Sequence, residues 1–172
     1  SGDINRQQKA HIQVKKDTLK LSSLSQVNAI ASSYGSGEHL ATTTENLQNI
    51  LDTSKYVSLF RTTKERKDFI ESLFEQYTAS LLNNSLKTNV FLEADIAIEP
   101  FAKLMTGPIA NRILEDGSIN EKLRWHTTQE KDWLTNAQTK YNQKLIDFKK
   151  LNSTVAISKS TNQLEEFYKE NV

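Results

Sequence analysis

Scarcity of chain-breaking residues is the feature that most constrains this sequence, because its 172 residues include only five glycines and two prolines. Tight turns consume both residue types, so a β-sandwich or barrel of this length would need many more of them. Long stretches that lack both, such as 3–33, favour uninterrupted helices. The sequence therefore predicts an all-α fold: one domain over residues 1–172, an elongated bundle of three to four long antiparallel helices.

Apolar residues in the first half recur at helical spacing. The pattern predicts one helix over about 3–33 with a polar, exposed N-terminal part, and it is carried by Val14, Leu21, Leu24, Val27, Ala31 and Tyr34. Gly35-Ser36-Gly37 should end this helix. Thr42 with Glu45, and Thr62 with Glu65, have the spacing of a capping box and predict the starts of the next two helices.

The second half contains the strongest apolar face and the most irregular segment. The apolar face is formed by Phe69, Ile70, Leu73, Phe74, Tyr77 and Leu81. We expect Asn83-Asn84 to kink or end that helix, and the following helix to end at Glu99-Pro100. Residues 100–118 predict a cap of one or two short helices. Residues 119–151 then show a near-heptad repeat typical of a long, coiled-coil-like helix.

Composition and charge exclude several classes of protein. Cysteine is absent, which removes disulfide frameworks and thiolate metal sites. The net charge is +1, so we expect no nucleic-acid partner, and no apolar run is long enough for a transmembrane segment. The 56 Ser, Thr, Asn and Gln residues favour an exported bacterial protein in an extracytoplasmic location.

Charge is nevertheless unevenly distributed along the chain. Residues 1–37 carry +3, residues 63–99 carry −3 and residues 118–152 carry +3. This alternation favours complementary faces within one bundle or solvated surfaces, with a polyanion-binding face as the weaker alternative.

Residues able to support catalysis are sparse. The three histidines are scattered, and the sequence has no HExxH motif, no glycine-rich phosphate loop and no G-x-S-x-G motif, so we predict no cofactor and no metal. His126 and Glu130 share one helix face and form a candidate pair for a ligand between helices. Asp95 and Glu99 also lie four residues apart, but a solvated acidic face explains them more simply.

Three further residues mark a candidate contact surface. Trp125 lies about 100° from the apolar stripe that contains Trp133, so it either packs under another element or forms an interface. Phe101 and Met105 belong to the irregular 100–118 segment. Together with His126 and Glu130, these residues are the binding site that the sequence suggests.

Three functions fit these observations. The first is a non-enzymatic module for protein–protein interaction or self-association, such as a lipoprotein or a secretion-associated subunit. The second is a periplasmic ligand-sensing bundle with a small molecule near His126 and Glu130. The third is a helical metal-dependent enzyme that uses the carboxylates of residues 93–99, which requires another ligand within about 5 Å of them.

Overall fold

The computed structural model describes residues 2–51, 54–105 and 132–152, and helices account for nearly all of them. The helices are α1 (Gly2–Gly35), α2 (Leu40–Leu51), α3 (Ser54–Leu59), α4 (Thr63–Thr88) and α5 (Ala94–Met105). Residues 132–152 are also helical and are called the C-terminal helical segment. The predicted all-α bundle is confirmed. Of the predicted cap, 100–105 belong to α5, whereas 106–118 lie outside the described residues.

The two longest helices, α1 and α4, pack against each other in the same direction, so the antiparallel arrangement predicted for the long helices is wrong for this pair. Lys16 of α1 pairs with Glu65 in the first turn of α4, at 3.2 Å between Nζ and Oε2. Farther along both helices, the Ser80 hydroxyl donates to the Asn28 side chain at 2.7 Å. Because Lys16 lies beside the start of α4, the preceding residues of α1 extend about 20 Å past it.

Small residues allow α1 to approach α4 closely. Ser23, Val27, Ala31 and Gly35 recur every four residues, and the first three are buried. A Cβ atom on Gly35 would lie 2.6 Å from the Asn84 Nδ2 atom, so this position leaves no room for a side chain unless Asn84 moves. The predicted apolar face of α4 is confirmed, since all six of its residues are buried.

The predicted end of α1 and the predicted start of α4 are confirmed. Gly37 has φ +106°, and the Glu38 N–H donates to the Ser33 carbonyl in a Schellman-type end. The Thr62 side chain accepts from the Glu65 N–H at 3.1 Å, as a helix N-cap should.

Two other predicted helix boundaries are wrong. The second helix begins at Leu40 rather than behind Thr42, and Thr43 is buried with its hydroxyl donating to the His39 carbonyl. Asn83-Asn84 does not end α4, which continues to Thr88 and stops where Asn89 adopts a left-handed conformation. Asn84 contributes to packing instead, because its amide reaches the Ser36 hydroxyl.

The apolar stripe predicted for α1 is only partly correct. Val27 and Ala31 are fully buried, but Val14 and Leu21 are 62% and 69% exposed. At 100° per residue, Leu21 and Val14 lie about 120° and 140° from Val27 around the helix axis. Val14 and Leu21 are seven residues apart and therefore share one side of the helix. That side is not the one that packs against α4.

Candidate functional site

The first turn of α5 and the residues that lead into it are held by tyrosine hydroxyls from three different helices. Pro100 lies inside α5, which contradicts the prediction that the helix ends at Glu99-Pro100. Because proline has no N–H, the Ile96 carbonyl has no helical donor. The Tyr34 hydroxyl of α1 donates to that carbonyl at 2.7 Å and supplies the missing hydrogen bond.

Two more tyrosines complete this arrangement. The Tyr77 hydroxyl of α4 donates to the Ala97 carbonyl at 2.8 Å. The Tyr141 hydroxyl of the C-terminal helical segment donates to the Leu92 carbonyl at 2.9 Å. Hydrogen bonds to the main chain thus fix α5 to α1 and α4, and fix the residues just before α5 to the C-terminal helical segment.

Burial makes these hydroxyls poor acids. It raises the pKa of Tyr77 well above the usual value, and the nearby Tyr34 and Tyr141 raise it further. Burial raises the pKa of Tyr141 to about 12, and burial together with Glu99 raises the pKa of Tyr34. All three side chains therefore remain protonated donors at neutral pH, which suits a structural role.

Of the five predicted site residues, two are buried in the core and three lie outside the described residues. Phe101 is 1% exposed, with its ring centroid 5.2 Å from that of Phe74 and 6.1 Å from that of Trp133. Met105 is also buried, so both side chains belong to the core rather than to a contact surface in this structure. Trp125, His126 and Glu130 lie outside the described residues, so their predicted binding role stays a prediction.

The first half of α1 is the most exposed helical stretch in the described bundle. Every residue from 2 to 15 is exposed, and the large apolar side chains among them include Ile4 and Val14. Leu21 continues this exposure on the face that points away from α4. We call residues 2–22 the α1 extension.

A groove of about 500 Å³ runs between the α1 extension and α3. Val14, Leu19 and Leu59 provide its apolar lining, while Lys15, Thr18 and Ser22 provide polar groups. Such a mixture of apolar surface and polar rim is typical of a site that receives a helix or an extended segment.

A second groove, of about 370 Å³, lies between α5 and the C-terminal helical segment. Its apolar residues are Ile96, Ala102 and Leu134, and its carboxylates are Asp95 and Glu99. Lys103 and Gln138 complete its lining. Within the described ranges, no group of three His, Asp or Glu side chains has an arrangement that could hold a metal ion.

Comparisons with known protein families, curated proteins and solved structures find no match for this chain. None of the helices in the described parts of the chain combines the length and apolar character needed to span a membrane. Conclusions about function therefore come from the surface of the bundle itself.

Reasoning from the sequence missed the exposed apolar residues of α1. The predicted packing stripe includes Val14 and Leu21, which do not pack against α4, and it does not include Ile4. Their angular position on the helix could have identified them as exposed, because all three lie about 120° or more around the helix from the buried Val27.

Proposed function

We propose that this protein is a non-enzymatic interaction or assembly module and that the α1 extension is its contact surface. The observation that carries this proposal is the exposure of every residue from 2 to 15 in a helix that bears Ile4 and Val14. Apolar side chains presented along a projecting helix are a common means of recognition between proteins.

The physical chemistry of an isolated helix supports the same conclusion. Helices shorter than about 12–15 residues are marginal in water, because most helical stability in proteins comes from packing. Residues 2–15 make no core contacts that bury them, although they continue a helix nucleated in the bundle. A partner that covers Ile4, Val14 and Leu21 would remove apolar surface from water and stabilise this part of α1.

Site-specific photocrosslinking in the cells that produce the protein tests this proposal. A benzophenone amino acid replaces Val14 in one variant and Ile146 in a control, since these side chains are 62% and 59% exposed. We expect a discrete adduct, identified by mass spectrometry, from position 14 and none from position 146. Equal adducts from both positions, or none from position 14, would contradict a contact surface on α1.

We also propose an extracytoplasmic location. The large share of uncharged polar residues, 56 of 172, supports it. Fractionation of the producing cells should recover the protein outside the cytoplasm, and recovery with cytoplasmic markers would contradict this part of the proposal.

A further inference from the structure

The α1 extension combines apolar side chains with an excess of positive charge. Residues 2–22 contain five lysines and arginines but only two aspartates. Lys16 is paired with Glu65, whereas Arg6, Lys9, Lys15 and Lys20 are exposed. A partner surface that fits this helix should therefore be apolar and acidic.

A surface with those properties lies where α4 ends and α5 begins. Leu86, Val90 and Ile96 are large apolar residues that are about half exposed there. Residues 86–99 contain three carboxylates, Glu93, Asp95 and Glu99, against one lysine. The 370 Å³ groove has an apolar floor, formed by Ile96, Ala102 and Leu134, and its charged lining consists of Asp95, Glu99 and Lys103, with a net charge of −1. We call this surface the acidic groove.

These two surfaces occupy opposite ends of the same molecule. Lys16 marks the start of α4, while Tyr34, near the end of α1, contacts the first turn of α5 through the Ile96 carbonyl. One molecule therefore cannot bring its own α1 extension to its own acidic groove. A second copy of the chain presents the complementary surface without this restriction.

We infer that copies of this chain bind head to tail, with the α1 extension of one molecule lying in the acidic groove of the next, an inference that rests on the function proposed for α1. From Asp95 to Lys103 the groove follows about 12 Å of α5, which accommodates about two turns of the extension. Two turns hold about seven residues, so either Ile4 or the pair Val14 and Leu21 contacts the apolar floor, and the nearest lysines reach the carboxylates.

The alternative of two α1 extensions pairing with each other is disfavoured by charge. Such a pair would place two segments of the same net positive charge side by side, and like charges in contact weaken association. Head-to-tail contact joins different surfaces of the two copies, so it continues into a chain of molecules unless the rotation closes a ring.

Two charge-reversal variants of the full chain test this inference by sedimentation velocity. The first, K9E/K15E, reverses the α1 extension, and the second, D95K/E99K, reverses the acidic groove. We expect the average mass of the natural sequence to rise with concentration at about 0.05 M salt and to fall at about 0.5 M. Each variant alone should self-associate about tenfold more weakly or not at all.

The mixture of the two variants gives the decisive result. Each variant repels its own copies at the proposed contact but complements the other variant at both surfaces, so the mixture should regain the concentration-dependent mass of the natural sequence. Combining all four substitutions in one chain should restore self-association with the charges exchanged. Circular dichroism of each variant establishes that the helices are intact.

A matched control separates surface complementarity from total charge. K64E/K67E makes the same change in charge at two exposed lysines of α4 and should associate as the natural sequence does. An equal loss in this control would overturn the inference, as would undiminished self-association of D95K/E99K, which would indicate α1–α1 pairing.

Sedimentation tests head-to-tail binding, whereas crosslinking at position 14 tests the proposed function, so the two can fail separately. A natural sequence that stays monomeric at every concentration overturns head-to-tail binding. If position 14 still crosslinks to a different protein in cells, the proposed function stands without self-assembly. If position 14 gives no adduct either, both proposals fail.

Discussion

The hydrogen bond from Tyr34 to the Ile96 carbonyl should be energetically coupled to Pro100. In the natural sequence, Tyr34 supplies the donor that proline lacks, at 2.7 Å. Changing Pro100 to alanine adds an N–H that can bond the same carbonyl within the helix. Tyr34→Phe should then lower the free energy of unfolding less in the Pro100→Ala background than in the natural sequence.

The expected magnitude follows from the accessibility of this contact. A typical internal hydrogen bond contributes about 0.5–1.5 kcal/mol to stability. Tyr34 is only partly buried, so water can partly replace its hydroxyl, and we expect Tyr34→Phe to cost about 1 kcal/mol. In the alanine background the cost should fall close to zero, which gives a coupling of about 1 kcal/mol in the double-mutant cycle.

Urea unfolding followed by circular dichroism measures all four corners of this cycle. Tyr77→Phe provides a control, because its acceptor, the Ala97 carbonyl, already has the helical N–H of Phe101 as a donor. The effects of Tyr77→Phe and Pro100→Ala should therefore add. Coupling below about 0.3 kcal/mol for Tyr34 and Pro100, within the range of ordinary additivity, would refute the assigned role of Tyr34.

Three further changes have defined expectations in urea titrations. Gly37→Ala should lower stability by about 1 kcal/mol, because φ +106° is unfavourable for residues with a Cβ atom; no change would contradict this. Arg66→Met should lower stability by about 2–4 kcal/mol, because Arg66 is 3% exposed and its Nε donates to the Phe60 carbonyl at 2.6 Å. The same change at Arg61, which is exposed, should lower stability by less than about 0.5 kcal/mol. Raising the pH above about 10 should lower stability, since unfolded tyrosines ionise there while folded Tyr141 keeps its proton to about pH 12. The decline should be shallower in Tyr141→Phe, and an equal decline would contradict the pKa assignment.

Local signals in the sequence predicted much of the fold because their effects are local. The end of α1 depends on Gly35-Ser36-Gly37, and the start of α4 depends on Thr62 with Glu65; both involve residues within five positions of one another. The apolar face of α4 was predicted for a similar reason, since all of its members face one neighbouring core.

Contacts between distant residues account for the errors. Because proline disfavours helix in the residue before it, the sequence predicted that the helix ends at Glu99. In the structure α5 continues through Pro100, and Tyr34 and Tyr77 donate to its Ile96 and Ala97 carbonyls from 62 and 20 positions away. No spacing within the sequence indicates that these hydroxyls reach α5. Likewise, the shared direction of α1 and α4 appears only in contacts between distant residues such as Lys16 and Glu65, which are 49 residues apart.

The candidate surface was predicted in part. The polar, exposed N-terminal part of the first helix is confirmed, since residues 2–15 are all exposed. The apolar face on it was missed because the sequence does not show which side of a helix its neighbours cover. For the acidic residues 93–99 the sequence favours a solvated face, with catalysis as the weaker alternative, whereas the groove between α5 and the C-terminal helical segment gives Asp95 and Glu99 a different candidate role.

Amide hydrogen exchange of residues 3–14 tests the central claim most directly, namely that the α1 extension gains its stability from a partner, here a second copy of the chain. In dilute protein at about 0.5 M salt, we expect these amides to exchange with little protection, as in a frayed helix. In concentrated protein at about 0.05 M salt, exchange should slow by about tenfold or more, together with added protection across 94–103. Strong protection of residues 3–14 in the dilute monomer, or identical exchange under both conditions, would contradict the account.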